Sequence, residues 1–166
     1  MTGLPNLVVE PLNTVHDRSG FCCNVESLDR YFKRQANQDV KRRISRVFVA
    51  TLPDEPIKVV GYYTLSSLSL ELQYLPEKLA RKLPNYSAPA ALIGRLAVSE
   101  PFQGHGIGAM LLADAIKRTL SVSDQIAIYA LVADAIDDDV VRFYQKFGFM
   151  RLSNSSRRLF LPLKSL

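Results

Sequence analysis

The 166-residue chain predicts an α/β fold of the mixed (α+β) kind, a central mixed sheet flanked by helices within a single domain spanning residues 1–166. Three observations predict it. Apolar, β-rich segments crowd the first half, strand-like and helix-like segments alternate in the second, and three glycines in five residues separate an apolar run from an amphipathic one in "LAVSEPFQGHGIGAMLLADAIKRTL" (96–120). No composition shift or long Pro/Gly/Ser stretch marks a second domain.

Residues 7–12 read as the first strand. Val25, Leu28, Phe32 and Ala36 then recur at helical spacing, with Asn24 placed to cap the helix start. Residues 46–51 are rich in β-formers, Leu52-Pro53-Asp54-Glu55-Pro56 turns the chain, and 57–70 reads as a long antiparallel return. A short helix is expected at 76–83 and an apolar strand at 91–98. A helix at 108–120, a strand at 126–132 and a helix at 137–147 follow, and one or two strands through Phe149 and 159–163 close the chain. Strands first and strand–helix units later give a sheet antiparallel at one end and partly parallel in the middle.

Hydrophobic residues at 48% and charged ones at 22%, with no low-complexity tract, exclude a disordered chain. No apolar run approaches the ~18 residues of a membrane span and no basic-then-apolar leader opens the sequence, so a cytoplasmic protein without a membrane partner is expected. Cys22 and Cys23 are neighbours, poor geometry for a structural disulfide, which suits a reducing compartment. His16 and His105 stand far apart with no carboxylate cluster at ligand spacing, so no metal is expected. A net charge of +5 suggests an anionic partner, although surplus Lys and Arg also serve simply as solvated surface. The distribution is more specific: Arg30, Lys33, Arg34, Lys41, Arg42, Arg43 and Arg46 crowd one stretch, far from Asp137, Asp138 and Asp139.

The glycine turn sits between strand and helix, where the first helical N–H groups lack intrahelical partners and the helix dipole is positive, so backbone alone can bind an anion. Gly104, Gly106 and Gly108 carry no Cβ to block a pyrophosphate. A helix-start turn without ligand is the plain alternative. A P-loop is excluded, because Gly108 is followed by Ala109 and Met110 instead of Lys and Ser/Thr. The dinucleotide fingerprint is satisfied by Gly104, Gly106 and Ala109, with Asp134 as ribose acid. That motif, however, turns tightly out of its strand, whereas residues 99–103, with Pro101, intervene here.

Read as Gln103-Gly104-His105-Gly106-Ile107-Gly108, the turn resembles the (Arg/Gln)-x-x-Gly-x-(Gly/Ala) motif of the GNAT acetyltransferase superfamily. The resemblance implies the GNAT acyl-CoA N-acyltransferase fold. It also implies that the turn cradles the pyrophosphate of acetyl-CoA, a cosubstrate whose pantetheine arm is bound by the main chain of Leu96, Ala97 and Val98. A second segment, "VVRFYQKFGFMR" (140–151), places Tyr144 where the family carries a tyrosine near the thioester sulfur; a core aromatic packed with Phe143 and Phe147 is the structural alternative. The segments "LIGRLAVSEPFQGHGIG" and "FCCNVESLDRYFKRQANQD" are similar to the toxins of bacterial toxin–antitoxin pairs that N-acetylate the amino acid on charged tRNA. That likeness implies aminoacyl-tRNA as substrate, a cognate antitoxin that is a small DNA-binding protein, and a homodimer. Where such toxins commonly have Cys-Gly before the first helix, this chain has Cys23-Asn24, and Asn tolerates unusual backbone angles.

Acetyl transfer needs a neutral amine, donors for the oxyanion and an acid for the leaving thiolate, and Tyr144 is the candidate acid. The "GRLAV" strand (94–98) carries no Glu or Asp to act as base, so either the amine is easily deprotonated or water relays its proton to a distant carboxylate. Deprotonation at pH 7 costs roughly 4.6 kcal/mol for a lysine amine with pKa ~10.4 but only about 1 kcal/mol for an α-amine near ~7.7, which favours an α-amine. Arg42, Arg43 and Arg46 with Arg95, and further Arg157, Arg158 and Lys164, are candidates to hold phosphates of a tRNA acceptor end. Two other functions fit the sequence: acetylation of a protein N-terminus or small amine, and a catalytically silent module that binds RNA or protein.

Overall fold

The computed structural model describes residues 6–83 and 87–166. Seven strands form one sheet in the order β1-β2-β3-β4-β5-β7-β6. They are β1 (Val8–Pro11), β2 (Arg46–Thr51), β3 (Gly61–Glu71), β4 (Ser87–Val98), β5 (Ala130–Asp134), β6 (Met150–Arg151) and β7 (Arg158–Pro162). The pairs β1–β2, β2–β3, β5–β7 and β7–β6 are antiparallel and β4–β5 is parallel, as the order of elements implies. Among the described residues five helices accompany them: α1 (Glu26–Arg34), α2 (Ala36–Lys41), α3 (Glu77–Ala80), α4 (Ile107–Val122) and α5 (Asp138–Gln145). The chain groups into two compact units, one of residues through Leu65 with Arg95–Ile116, the other of Ser66–Gly94 with Lys117–Leu166.

The core of the first unit is aromatic. Phe32 from α1 stacks on Tyr62 of β3 at 4.3 Å, Phe21 meets both edge-on, and Val47 and Val49 of β2 and Ala97 of β4 close around them. Alternation along β2 and β3 supplies these side chains, and α1 buries its i, i+4 stripe against them. The expected single helix from Val25 to Ala36 is two. The chain breaks at Gln35 (φ −115, ψ −27), whose N–H still bonds Tyr31 O while its carbonyl accepts from Asp39 N at 3.0 Å. Asn24 does not cap α1 as expected. It adopts the left-handed conformation (φ 70) in which Asn is tolerated, Val25 takes the cap position, and the Asp29 carboxylate reaches back to accept the Cys23 amide at 2.9 Å.

The second unit is built around β5, whose residues Ala130 to Ala133 are fully buried, with Leu70, Leu75, Ala90 and Phe160 among its core partners. Both cysteines are free thiols, and burial pushes the Cys23 thiol up to about 11. Among the described residues no helix is long and apolar enough to cross a membrane, and no group of three or more His, Cys, Asp or Glu is placed to hold a metal ion.

Candidate active site

The glycine turn takes the shape its glycines permit. After β4, a 3-10 turn spans Glu100–Phe102, Gln103 is extended (φ −70, ψ 150), and α4 starts at Ile107. Gly104 and Gly106 have φ of +80 and +81, where a Cβ would be strained. Nothing lies within 4 Å of where a Cβ on Gly104 would stand, so backbone angle, and not crowding, calls for glycine there. Above the turn the first amides of α4 point outward with the positive end of the helix dipole. The exposed backbone of Gly104 and Gly106 leads into them, which makes a cradle for an anion.

Side chains around the turn hold it in place. Gln103 Nε2 donates to the carbonyls of Val98 (2.9 Å) and Cys23 (3.1 Å). Ser99, 5% exposed, donates its amide to Val60 O at 2.8 Å, and Glu100 N donates to Cys22 O at 2.7 Å. The His105 ring folds back, its Nδ1 3.0 Å from Gln103 O. Of the predicted cosubstrate residues, Gly104 and Gly106 are exposed, Gly108 is half-buried and Ile107 is buried, while the side chains of Gln103 and His105 engage the turn itself. Those bonds are beyond what a motif can reveal, since the motif records only that an amide stands there.

Leu96, Ala97 and Val98 lie where β4 outruns its parallel neighbour: the ladder pairs Ala90–Ile93 with Ala130–Ala133 and stops, while β4 continues to Val98. Their main chain lies beyond that ladder. Just before them, the Arg95 amide donates to Thr64 Oγ1 at 3.1 Å. At Gly61 a Cβ would stand 3.1 Å from the Ala97 carbonyl oxygen and 2.9 Å from Leu111 Cδ1. Glycine at the start of β3 thus lets the strand bearing Ala97 and the helix bearing Leu111 approach closely.

Tyr144 lies in the last turn of α5, whose start is capped by the Asp137 carboxylate accepting Val140 N at 2.9 Å. It is 1% exposed, with ring contacts to Phe143 (5.2 Å) and Phe149 (5.3 Å); Phe147 instead packs on Phe143. Burial, and then the charge of Asp134, raise the phenol above its ordinary value, so the hydroxyl stays protonated across the neutral range. Asp134 ends β5 and is gripped by Arg158 of β7 in a two-bonded pair, Nε to Oδ1 at 2.7 Å and Nη2 to Oδ2 at 2.9 Å. This pair was not legible from sequence and assigns both residues differently. Asp134 is clamped in place of offering itself to a ribose, and Arg158 is engaged in place of awaiting a phosphate. Arg157 likewise lies 3.4 Å from Asp138.

The basic stretch is presented by the end of α2. Arg42 closes the helix and Arg43 follows in the left-handed conformation (φ 61). Arg43 N donates to Val40 O and Ile44 N to Asp39 O, both at 3.1 Å, the two bonds that end a helix in a Schellman turn. Arg42, Arg43 and Arg46 are all exposed. Arg95 is not among them: its guanidinium lies half-buried, 3.5 Å from the centre of the Tyr31 ring.

A mixed sheet whose fourth strand outruns the fifth, followed by a Gln-x-x-Gly-x-Gly turn opening a helix, defines an acyl-CoA-dependent N-acyltransferase. The family model of the Acetyltransferase (GNAT) family matches residues 13–149, and the chain belongs to that family. It is 33% identical to the probable toxin TacT of Sinorhizobium fredii (strain NBRC 101917 / NGR234) over 99% of this chain and 96% of that protein. It is also 33% identical to a tRNA-acetylating toxin of Mycobacterium tuberculosis (strain ATCC 25618 / H37Rv) over 92% of this chain and 90% of the other. Among solved structures it is similar to AtaT complexed with acetyl-methionyl-tRNAfMet (TM-score 0.89, 29% identical, 96% of each chain covered). A tyrosine-to-phenylalanine mutant of AtaT bound to the C-terminus of the antitoxin AtaR and acetyl-CoA also matches (TM-score 0.81, 28% identical, covering 96% of this chain and 94% of that one).

Proposed function

We propose that this protein is a toxin-type N-acetyltransferase that moves the acetyl group of acetyl-CoA onto the α-amino group of an aminoacyl-tRNA and so blocks translation. Likeness to a tRNA-acetylating toxin along nearly the whole chain carries the reading. The anion cradle, the main chain beyond the β4–β5 ladder and the exposed basic turn support it.

Acetyl-CoA supplies an acyl carbon bonded to a sulfur leaving group. Gly104, Gly106 and the Ile107 and Gly108 amides hold its pyrophosphate, with Gln103 and His105 keeping the turn in shape. Leu96, Ala97 and Val98 align the pantetheine arm by main-chain hydrogen bonds. Arg42, Arg43 and Arg46 hold phosphates of the acceptor end. As the neutral amine attacks, the C–N bond forms and the C–S bond breaks. Tyr144 donates its proton to the sulfur, and the surplus proton on nitrogen passes through water to restore the phenol. A phenol whose pKa is raised above ~10 is a weaker acid than a thiol near ~8.5, so the hydroxyl acts first as a hydrogen-bond donor to growing charge, and its proton passes to sulfur as the proton from nitrogen replaces it.

The same reading places the protein in the cytoplasm, as a homodimer restrained by a small DNA-binding antitoxin; a mutant of AtaT has been solved bound to the C-terminus of the antitoxin AtaR. The test is labelled acetyl-CoA with total charged tRNA against deacylated tRNA. Mass spectrometry of the nuclease-released aminoacyl-adenosine should show an added acetyl group. Labelled peptides with unlabelled aminoacyl-adenosine would instead make this an N-terminal or small-amine acetyltransferase.

A further inference from the structure

Arg95 sits beside the strand segment assigned to the pantetheine arm, yet its guanidinium faces a buried tyrosine, and what that tyrosine touches leads elsewhere. Tyr31 is 3% exposed, with the Arg95 guanidinium 3.5 Å from its ring centre and the Tyr62 ring 6.5 Å away and 21° from parallel. Tyr62 is itself pinned, its hydroxyl donating to Leu28 O at 2.7 Å. The Tyr31 hydroxyl donates to Asp39 Oδ2 at 2.8 Å. Asp39 belongs to α2, and its main-chain carbonyl accepts the Ile44 amide that closes the turn carrying Arg42 and Arg43. Three consecutive contacts therefore run from β4 to the basic turn.

The break at Gln35 gives this path its purpose. Helix α2 is only six residues long and meets α1 at Gln35, whose φ of −115 departs from helical values while its N–H and carbonyl keep their bonds to Tyr31 O and Asp39 N. A side-chain tie across this point thus adds to the main-chain ones in setting the direction of α2. The Tyr31–Asp39 hydrogen bond spans that break, from α1 to α2. Arg95 in turn fixes the Tyr31 ring by stacking, for which a planar guanidinium is suited and an ammonium is not.

We infer that Arg95 is a positioning residue for charged tRNA, acting through Tyr31 and Asp39 to hold the basic turn at a fixed place relative to Leu96, Ala97 and Val98, and that it does not itself bind phosphate. The inference rests on the tRNA reading above, and it separates two roles that the sequence merges in one arginine cluster. A phosphate ligand contributes to the salt dependence of tRNA binding; a residue that only pre-orders other ligands costs affinity when lost without changing the number of phosphates they meet in the complex.

The experiment is steady-state acetylation of charged tRNA at several salt concentrations, with Tyr31→Phe, Asp39→Ala, Asp39→Asn, Arg95→Gln and, as the phosphate-ligand comparator, Arg42→Ala. Tyr31→Phe, Asp39→Ala and Arg95→Gln should each raise KM for charged tRNA roughly 5- to 10-fold, the scale of one ordinary net hydrogen bond. The salt slope, kcat at saturation and KM for acetyl-CoA should stay at wild-type values, whereas Arg42→Ala should lower the slope by about one. Asp39→Asn keeps an acceptor for the tyrosine hydroxyl and should restore most of the loss. Tyr31→Phe is nearly isosteric, so its thermal midpoint and unchanged acetyl-CoA KM separate misplacement from misfolding. A slope reduced by about one in Arg95→Gln would make Arg95 a phosphate ligand and overturn the inference, as would wild-type KM in both Tyr31→Phe and Asp39→Ala. Absence of acetyl-tRNA with the wild-type protein overturns the function itself and is seen before any variant is compared.

Discussion

Replacing Arg43 with Gly should make the protein more stable and a poorer enzyme. Arg43 ends α2 at φ 61, a conformation costing a non-glycine residue roughly 1–2 kcal/mol. Glycine removes that strain but loses more conformational entropy on folding, about 0.5–1 kcal/mol, leaving a net gain of roughly 0.5–1 kcal/mol. For a chain of this length that is a rise of about 1–4 °C in Tm. Under the proposed function the same substitution also removes one phosphate ligand. With a slope of about 0.9 per phosphate on a double strand, counterion release at about 0.15 M salt amounts to roughly 0.7 log units, so KM for charged tRNA should rise about fivefold and the salt slope fall by nearly one. Differential scanning fluorimetry and salt-dependent acetylation kinetics read the two effects separately. A more stable variant with wild-type tRNA kinetics would show that the strained arginine serves no RNA contact, and a less stable one would show that the turn is not strained at all.

Three further outcomes follow from the site. Gly106→Asp should abolish acetyl-CoA binding, because any side chain at φ +81 is strained and a carboxylate there opposes the pyrophosphate; unchanged affinity by calorimetry would contradict the cradle. Tyr144→Phe should keep fold and acetyl-CoA affinity while lowering turnover about 100-fold or more, and an undiminished rate would remove the hydroxyl as proton donor. Gly61→Ala should cost about 1–3 kcal/mol, since its Cβ would meet the Ala97 carbonyl at 3.1 Å within a packed core, and should weaken acetyl-CoA binding as that carbonyl shifts. A thermal midpoint within a degree of wild type would mean the core has room there.

The strands of the first half were legible where burial follows the local pattern, and 46–51 is observed with those bounds because its run of β-branched, aromatic and small residues after Arg46 is buried on both faces of the sheet. Apolar character misleads where it is exposed. Ile126 and Ile57, 65% and 53% exposed, lie outside the strands they were expected to begin, and β5 starts only at Ala130. The break at Gln35 carries no Gly, Pro or capping hydroxyl, so helical periodicity runs straight through it. The glycine turn was readable because its chemistry is local: positive φ, a helix start and bare backbone all lie within a few residues. The Asp134–Arg158 pair and the Arg95–Tyr31–Asp39 path were not, since each joins residues brought together only by tertiary packing.

The place of β7 in the sheet sets an order of manufacture. Strand β7, Arg158–Pro162, follows β5 and β6 in the sequence yet lies between them in the sheet, so β5 has no antiparallel neighbour and β6 no partner until β7 has been synthesised. Domains fold as units while the chain emerges from its N-terminal end. The clamp that Arg158 places on Asp134 therefore forms only after β7 has been made. The order of synthesis and the order in the sheet thus differ, and the strand that arrives after its two neighbours is the one that completes them both.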